Sequence, residues 1–101
     1  MTNPIAEIVT YRLKPGADLA TFRAAASKAD AYTAGCSGHR GQWMSQSRDG
    51  GFTHYALWDS TADLEAAEAG FMDAPGVAEF LAFIDGASLV MLREPVLSGT
   101  A

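Results

Sequence analysis

The stretch from residue 39 to residue 59 constrains the fold more than any other part of the sequence. Two runs rich in aromatic and strand-forming residues, HRGQWMSQS and FTHYALWD, flank the segment Arg48-Asp49-Gly50-Gly51. An Asp-Gly pair between two such runs is among the strongest local signals for a β-hairpin. The sequence therefore predicts an antiparallel pair of strands at the centre of the chain.

A two-residue loop at Asp49-Gly50 would also fix the register of this hairpin. The pairs that it predicts are Arg48 with Gly51, Ser45 with His54, Trp43 with Ala56, and Gly41 with Trp58. Side chains alternate between the two faces of a strand. The register therefore places one set of side chains on one face, namely His39, Trp43, His54 and Trp58. A second set, Met44, Tyr55 and Leu57, is expected on the other face.

The segments before the hairpin predict a strand and a helix. Residues 5–13, IAEIVTYRL, are rich in strand formers, and the Lys-Pro-Gly segment that follows ends the strand. Asp18 is a suitable N-cap, and apolar residues then recur at helical spacing until the glycines at 35 and 38. The predicted buried stripe of this first helix is Leu19, Phe22, Ala26 and Ala29.

The segments after the hairpin predict a second, interrupted helix and a last strand. Ser60 and Asp63 have the spacing of a capping box. Pro75 is disfavoured inside a helix but favoured in a first turn, which predicts a new helical piece there. Its inner stripe is expected to contain Val77, Phe80, Leu81 and Ile84, and residues 87–94 are expected to form the last strand.

The predicted order of strand, helix, strand, strand, helix, strand is that of an α+β, ferredoxin-like βαββαβ domain spanning residues 1–101. Right-handed crossovers then give a four-stranded antiparallel sheet in the spatial order 4-1-3-2, with both helices on one face. Strands three and four carry apolar residues on both faces. Since a monomer rarely exposes such a surface, the open face predicts a homodimer packed sheet to sheet.

Composition excludes some partners and compartments. The formal net charge of −5 argues against nucleic acid and anionic membranes, which require a positive surface. No apolar run approaches the roughly 20 residues that span a bilayer, and no signal peptide is visible. Cys36 is the only cysteine, so no intrachain disulfide can form. These features are typical of a cytoplasmic protein, and no metal or cofactor motif is present.

Several segments together resemble a known superfamily. They are EIVTYRLKPG at 7–16, the Asp-Gly hairpin at 49–50, and LWDS before the capped helix at 57–60. This pattern resembles the dimeric α+β barrel superfamily, in particular its antibiotic biosynthesis monooxygenase-like group and uncharacterised relatives. The resemblance implies a barrel formed by two ferredoxin-like protomers. It also implies a cofactor-independent, monooxygenase-like reaction on an aromatic or quinol small molecule. Some relatives have no known reaction, so a non-catalytic ligand-binding or structural dimer is the alternative.

Haem-degrading relatives use an asparagine, a tryptophan and a histidine that this sequence lacks at the matching positions. The matching positions are Val9, Ala67 and the region 77–79, and neither histidine lies there. The resemblance therefore does not extend to haem degradation, and no cofactor is expected.

His54 is the residue best suited to acid–base chemistry, because histidine titrates near neutral pH and can accept a proton from a phenol or hydroquinone. A hydrogen-bonded histidine at the sheet surface or in an interface is the alternative. Further residues could line an aromatic ligand pocket, namely Trp43, Trp58, Tyr11, Tyr55 and His39. Large aromatic side chains on a sheet are more often part of a core or an interface, and this alternative also stays open.

Overall fold

The computed structural model describes residues 3–99 of the chain. These residues form four strands and three helices in the following order: β1 (Ile5–Leu13), α1 (Leu19–Ala34), β2 (His39–Gln46), β3 (Phe52–Trp58), α2 (Thr61–Phe71), α3 (Val77–Ala82) and β4 (Ile84–Pro95).

The four strands form one antiparallel sheet in the order β2-β3-β1-β4, which confirms the predicted spatial order. The helices pack against a single face. Phe22 of α1 and Phe80 of α3 share one core with Phe52 of β3, and Leu64 of α2 packs with Trp58 of the same strand. We call this helix-covered side the inner face and the opposite side the open face. The fold is ferredoxin-like, as predicted.

Both predicted helix caps are present. The Asp18 carboxylate accepts a hydrogen bond from the backbone N–H of Ala20 at 3.2 Å. The Ser60 hydroxyl accepts one from the backbone N–H of Asp63 at 3.2 Å and donates to the Asp63 carboxylate at 2.9 Å. Each cap satisfies an N–H group that the first helical turn leaves without a partner.

Two details of the helices differ from the prediction. Ile84 is not part of the last helix, because α3 ends at Ala82 and β4 already begins at Ile84, where it pairs with Leu13. Ile84 is still buried, now from a strand. The buried stripe of α1 contains Ala25 instead of Leu19, which is 44% exposed at the start of the helix.

The predicted register of the hairpin is wrong by one residue. Ser47 rather than Arg48 faces Gly51, and its backbone N–H donates to the Gly51 carbonyl at 2.8 Å. The loop therefore has three residues, with Gly50 at a φ of +92° and its N–H bonded to the Ser47 carbonyl at 3.0 Å. A turn followed by a left-handed glycine is the usual three-residue hairpin connection, and it shifts every pair by one position.

This shift moves Trp43 and Met44 to the opposite faces from those predicted. Trp43 pairs with Tyr55 on the open face, whereas Met44 pairs with His54 on the inner face. A bulge between His39 and Gly41 then shifts the register again, so that His39 pairs with Trp58 and lies on the face predicted for it. Three of the four side chains predicted to share a face therefore do so, and Trp43 does not.

The inner face carries two separate groups of buried side chains. The larger one joins β1, β3 and β4 to α1 and α3 and includes Tyr11, Phe22, Phe52, Val77 and Phe80. The smaller one joins β3 to α2 through Ala56, Trp58, Leu64 and Ala67. Within residues 3–99, no helix is long and apolar enough to cross a membrane.

Candidate active site

Tyr11 and His54 form a polar pair within the inner face. Tyr11 pairs with Phe52 across β1 and β3, and His54 pairs with Val9, so the two side chains lie on adjacent rows of the sheet. The Tyr11 hydroxyl lies 2.6 Å from His54 Nε2, which is a short hydrogen bond. This bond links two residues that the sequence identified as candidates for separate reasons.

Aromatic rings surround this pair. The Tyr11 ring stacks on Phe52 at a centroid distance of 5.8 Å and meets the edges of Phe22 and Phe80 at 6.1 and 6.0 Å. The His54 ring lies 5.7 Å from that of Phe80. Because these rings reduce the contact of the pair with water, they disfavour any charge that the pair would carry.

This environment changes the pKa of both groups. Burial lowers the pKa of His54 to about 4, so its near-neutral titration, expected from the sequence, does not occur in the folded protein. Burial raises the pKa of Tyr11 above its usual value, and the nearby Asp30 raises it further. Both side chains are therefore neutral at pH 7.

The direction of the Tyr11–His54 hydrogen bond follows from the need of the Tyr11 hydroxyl proton for an acceptor. Within the described residues, the Tyr11 hydroxyl has one side-chain partner, which is His54. If His54 Nε2 donated the bond, the buried hydroxyl proton would have no acceptor, which is unfavourable. Tyr11 therefore donates to Nε2, and the proton of neutral His54 resides on Nδ1.

Two carboxyl groups lie close to the inner face, and the sequence analysis did not identify either. Burial raises the pKa of Glu7 on β1, Glu68 raises it further, and Arg93 opposes the shift. Burial also raises the pKa of Asp30 on α1, and His39 opposes that shift. The sequence could have indicated the position of Glu7 through its spacing from Tyr11, since residues 7, 9 and 11 share one face of a strand.

His39 and Trp58 form a second polar site near the start of β2 and the end of β3. Their rings meet edge to face at 5.1 Å. His39 Nε2 and Trp58 Nε1 are both buried, and neither has a hydrogen-bond partner among residues 3–99. The Gln42 side chain, on the next inner row of β2, donates to the Asp30 carbonyl at 3.1 Å. Buried nitrogens of this kind normally bind a ligand oxygen or a water molecule.

The remaining two candidates, Trp43 and Tyr55, lie on the open face. Their rings are 5.9 Å apart, and Trp43 is 60% exposed. The backbone of the sheet therefore separates them from His54. The six sequence candidates form two groups, with Tyr11, His39, His54 and Trp58 on the inner face and Trp43 and Tyr55 on the open face.

Two surface depressions border these groups. One, of about 210 Å³, lies between α1 and β2 and is lined by Leu19, Arg23, Met44, Ser45, Gln46 and Phe52. The other, of about 240 Å³, lies beside the hairpin loop and includes Arg12, Asp49 and Ser88 in its lining. His54 lines neither. Its strand partner Met44 and its neighbour Phe52 line the first, and Tyr11 and Phe52 line the second. Among residues 3–99, no three potential metal ligands come together.

Comparison with solved structures supports the fold. SnoaB, a cofactor-independent oxygenase from Streptomyces nogalater, has in one substituted form a TM-score of 0.81 and 14% sequence identity, with 97% of each chain covered. A candidate antibiotic biosynthesis monooxygenase from Caulobacter crescentus has a TM-score of 0.78 and 17% identity over 96% of this chain and 92% of that one. A similar candidate from Nitrosomonas europaea has a TM-score of 0.76 and 14% identity, with 100% of this chain and 97% of that chain covered.

The chain has the fold of the antibiotic biosynthesis monooxygenase-like structures. This finding confirms the protomer fold implied by the resemblance of the segments at 7–16, 49–50 and 57–60. No family model matches the sequence, and no curated protein matches it. Since the identities are below 20%, the comparison establishes the architecture and not the reaction.

Proposed function

We propose that this protein is a cofactor-independent, monooxygenase-like enzyme that acts on an aromatic or quinol small molecule. The observation that carries the proposal is the Tyr11–His54 hydrogen bond of 2.6 Å inside an aromatic environment. A neutral proton-accepting pair that aromatic rings partly shield from water suits the activation of a phenol. The similarity to SnoaB, a cofactor-independent oxygenase, supports the same reading.

In the proposed reaction, Tyr11 relays a proton to His54. The substrate hydroxyl donates to the Tyr11 oxygen, which still has a free lone pair. As the substrate proton moves to Tyr11, the Tyr11 proton moves to His54 Nε2. The products of this step are a substrate phenolate, an unchanged Tyr11 and a protonated His54. The phenolate and the imidazolium stabilise each other, which offsets the low pKa of His54 in the empty site.

The phenolate then reacts with molecular oxygen. For a simple phenol, one oxygen atom becomes a new ring carbonyl and the other leaves as water, so phenol and O₂ give a quinone and H₂O. The electrons come from the substrate, and the protons return from His54 and the oxidised carbon. Dioxygen is therefore the only co-reactant that this stoichiometry requires.

The alternative function is non-catalytic binding of a small molecule by a structural dimer. The low pKa of His54 favours it, because a histidine with a pKa of about 4 is a weak base. In this case Tyr11 and His54 would serve only to hold a ligand hydroxyl. Oxygen consumption distinguishes the two functions.

The experiment is to measure oxygen uptake with a panel of phenols and hydroquinones, without added metal or flavin. We expect turnover by the native protein and a loss of at least about 100-fold in His54→Gln, since general acid–base groups contribute roughly 10²–10⁴-fold. Thr53→Ala is a matched control, because Thr53 precedes His54 on β3 and its side chain faces the other side of the sheet. Binding of the panel without oxygen uptake would support the alternative.

We also propose that the functional form is a homodimer joined through the open face. One cross-strand row on this face contains Trp43, Tyr55, Ile8 and Leu92, each paired with the next. Trp43 and Leu92, at the two ends of this row, are 60% and 49% exposed. A second copy would remove this apolar row from water.

A further inference from the structure

The depression of about 210 Å³ between α1 and β2 combines an apolar lining with a single cationic side chain. Leu19, Met44 and Phe52 supply apolar and aromatic surface. Leu19 is 44% exposed at the beginning of α1, although the sequence predicts it for the core. An exposed leucine beside a half-buried methionine is surface that a ligand ring can cover.

Arg23 is the charged residue of this depression. Its side chain is exposed and makes no hydrogen bond or ion pair within residues 3–99, unlike Arg12, Arg40 and Arg93, which each bind a carboxylate. The chain as a whole carries a formal net charge of −5. A free guanidinium above apolar surface is suited to bind a planar carboxylate in a bidentate manner.

The depression also adjoins the Tyr11–His54 pair. Met44 is the direct strand partner of His54, and Phe52 stacks on the Tyr11 ring at 5.8 Å. These two residues line the depression on one side and contact the pair on the other. Met44, whose side chain changes rotamer easily, therefore lies between the depression and His54.

We infer that this depression is the substrate-binding site and that it selects aromatic carboxylates, with Arg23 binding the carboxylate and Leu19, Met44 and Phe52 contacting the ring. The inference rests on the proposed function and adds its substrate class. The volume of about 210 Å³ suits a ligand of one or two rings, because pockets for drug-sized molecules measure roughly 300–1,000 Å³. The phenolic hydroxyl of such a ligand would point toward Tyr11, at the end opposite the carboxylate.

The test compares 6-hydroxy-2-naphthoate with its neutral carboxamide by isothermal titration calorimetry at pH 7 and low salt. We expect the native protein to bind the carboxylate about 10-fold more tightly than the carboxamide. Arg23→Gln should remove this preference and leave carboxamide binding unchanged, and Arg23→Lys should restore part of it. Lys28→Gln is the matched control, because Lys28 is an exposed cation on the same helix and does not line the depression.

Each outcome distinguishes the inference from the proposed function. Equal affinity for both ligands, no binding of either, or a carboxylate preference that persists in Arg23→Gln would overturn the inference. A preference that depends on Arg23 supports the depression as the binding site for aromatic carboxylates even if no oxygen is consumed, in which case the enzymatic function alone fails and the carboxylate is a ligand rather than a substrate. Oxygen uptake that is the same for the carboxylate and the carboxamide, in the native protein and in Arg23→Gln, would support the function and reject this site.

Discussion

At the scale of single residues, the environment of His54 determines the pH range in which the protein can work. The proposed relay requires neutral His54, whose pKa in the fold is about 4. We therefore expect kcat/KM for a phenolic substrate to stay constant from pH 7 to pH 5 and to fall by half near pH 4. A solvent-exposed histidine would give a midpoint near 6.5. A steady-state pH profile measures this midpoint, and a value near 6.5 would contradict the assigned burial.

The same pKa shift makes a prediction about folding stability. Because the pKa of His54 is about 4 in the fold, against an ordinary value of 6.5 for a solvated histidine, the fold favours the neutral form. The resulting stability is complete above pH 6.5 and is lost as pH falls from there through 4. Its size is about 3 kcal/mol, since one pKa unit corresponds to about 1.4 kcal/mol.

Urea unfolding at several pH values between 4 and 7 measures this dependence. Glu7 and Asp30 act in the opposite direction, because a raised carboxyl pKa makes the fold less stable as pH rises. The informative quantity is therefore the difference between the native protein and His54→Gln. We expect this difference to shrink toward acidic pH, and a difference that is independent of pH would show that His54 titrates normally.

At the scale of secondary-structure elements, the hairpin loop depends on one glycine. Gly50 has a φ of +92°, and a Cβ atom there would meet nothing within 4 Å. Gly50→Ala should therefore destabilise the protein by about 1 kcal/mol through backbone strain alone. Gly86→Ala is the control, because its Cβ would also be unobstructed and its φ is not in the positive range, so we expect a change below about 0.5 kcal/mol in urea unfolding. Equal effects of the two substitutions would contradict the assigned loop.

This loop also shows where the sequence was sufficient and where it was not. The periods of the strands and helices, the caps at Asp18 and Ser60 and the order of elements were readable from local residues. The register was not, because Asp49-Gly50 is compatible with both a two-residue and a three-residue loop. The three-residue loop is held by contacts inside and outside the turn. The Asp49 carboxylate accepts a hydrogen bond from the backbone N–H of Gly51 at 3.1 Å, and Arg12 of β1 donates to this carboxylate at 2.6 Å and to the Asp49 carbonyl at 3.0 Å.

The candidate site was predictable to a similar extent. Residue type alone pointed to His54 and Tyr11. Because side chains alternate along a strand, the four-residue separation of His54 and Trp58 placed both on the same side of β3. The hydrogen bond between His54 and Tyr11 joins positions 43 residues apart, and no local pattern specifies it. The pKa of His54 depends on the rings of Phe52 and Phe80 around the pair, which come together only in the folded protein.

At the scale of the whole molecule, the open face is an apolar surface that one chain leaves uncovered. The row Trp43, Tyr55, Ile8 and Leu92 crosses all four strands. On either side of it lie mostly small, hydroxyl-bearing or apolar residues, and Glu94 is the charged residue of the adjacent row. A face with so few charges can pack against a copy of itself without burying unpaired ions.

Replacing one end of this row tests the proposed homodimer. Multi-angle light scattering at micromolar concentration should give twice the chain mass of 10.6 kDa for the native protein. Leu92→Lys should shift the mass toward 10.6 kDa, because the dimer would have to bury two unpaired ammonium groups. Met72→Lys is the control: Met72 is 66% exposed at the end of α2, away from the open face, so this variant should remain dimeric. A native mass of 10.6 kDa would refute the dimer, and a Leu92→Lys protein that keeps the dimer mass would place the interface elsewhere.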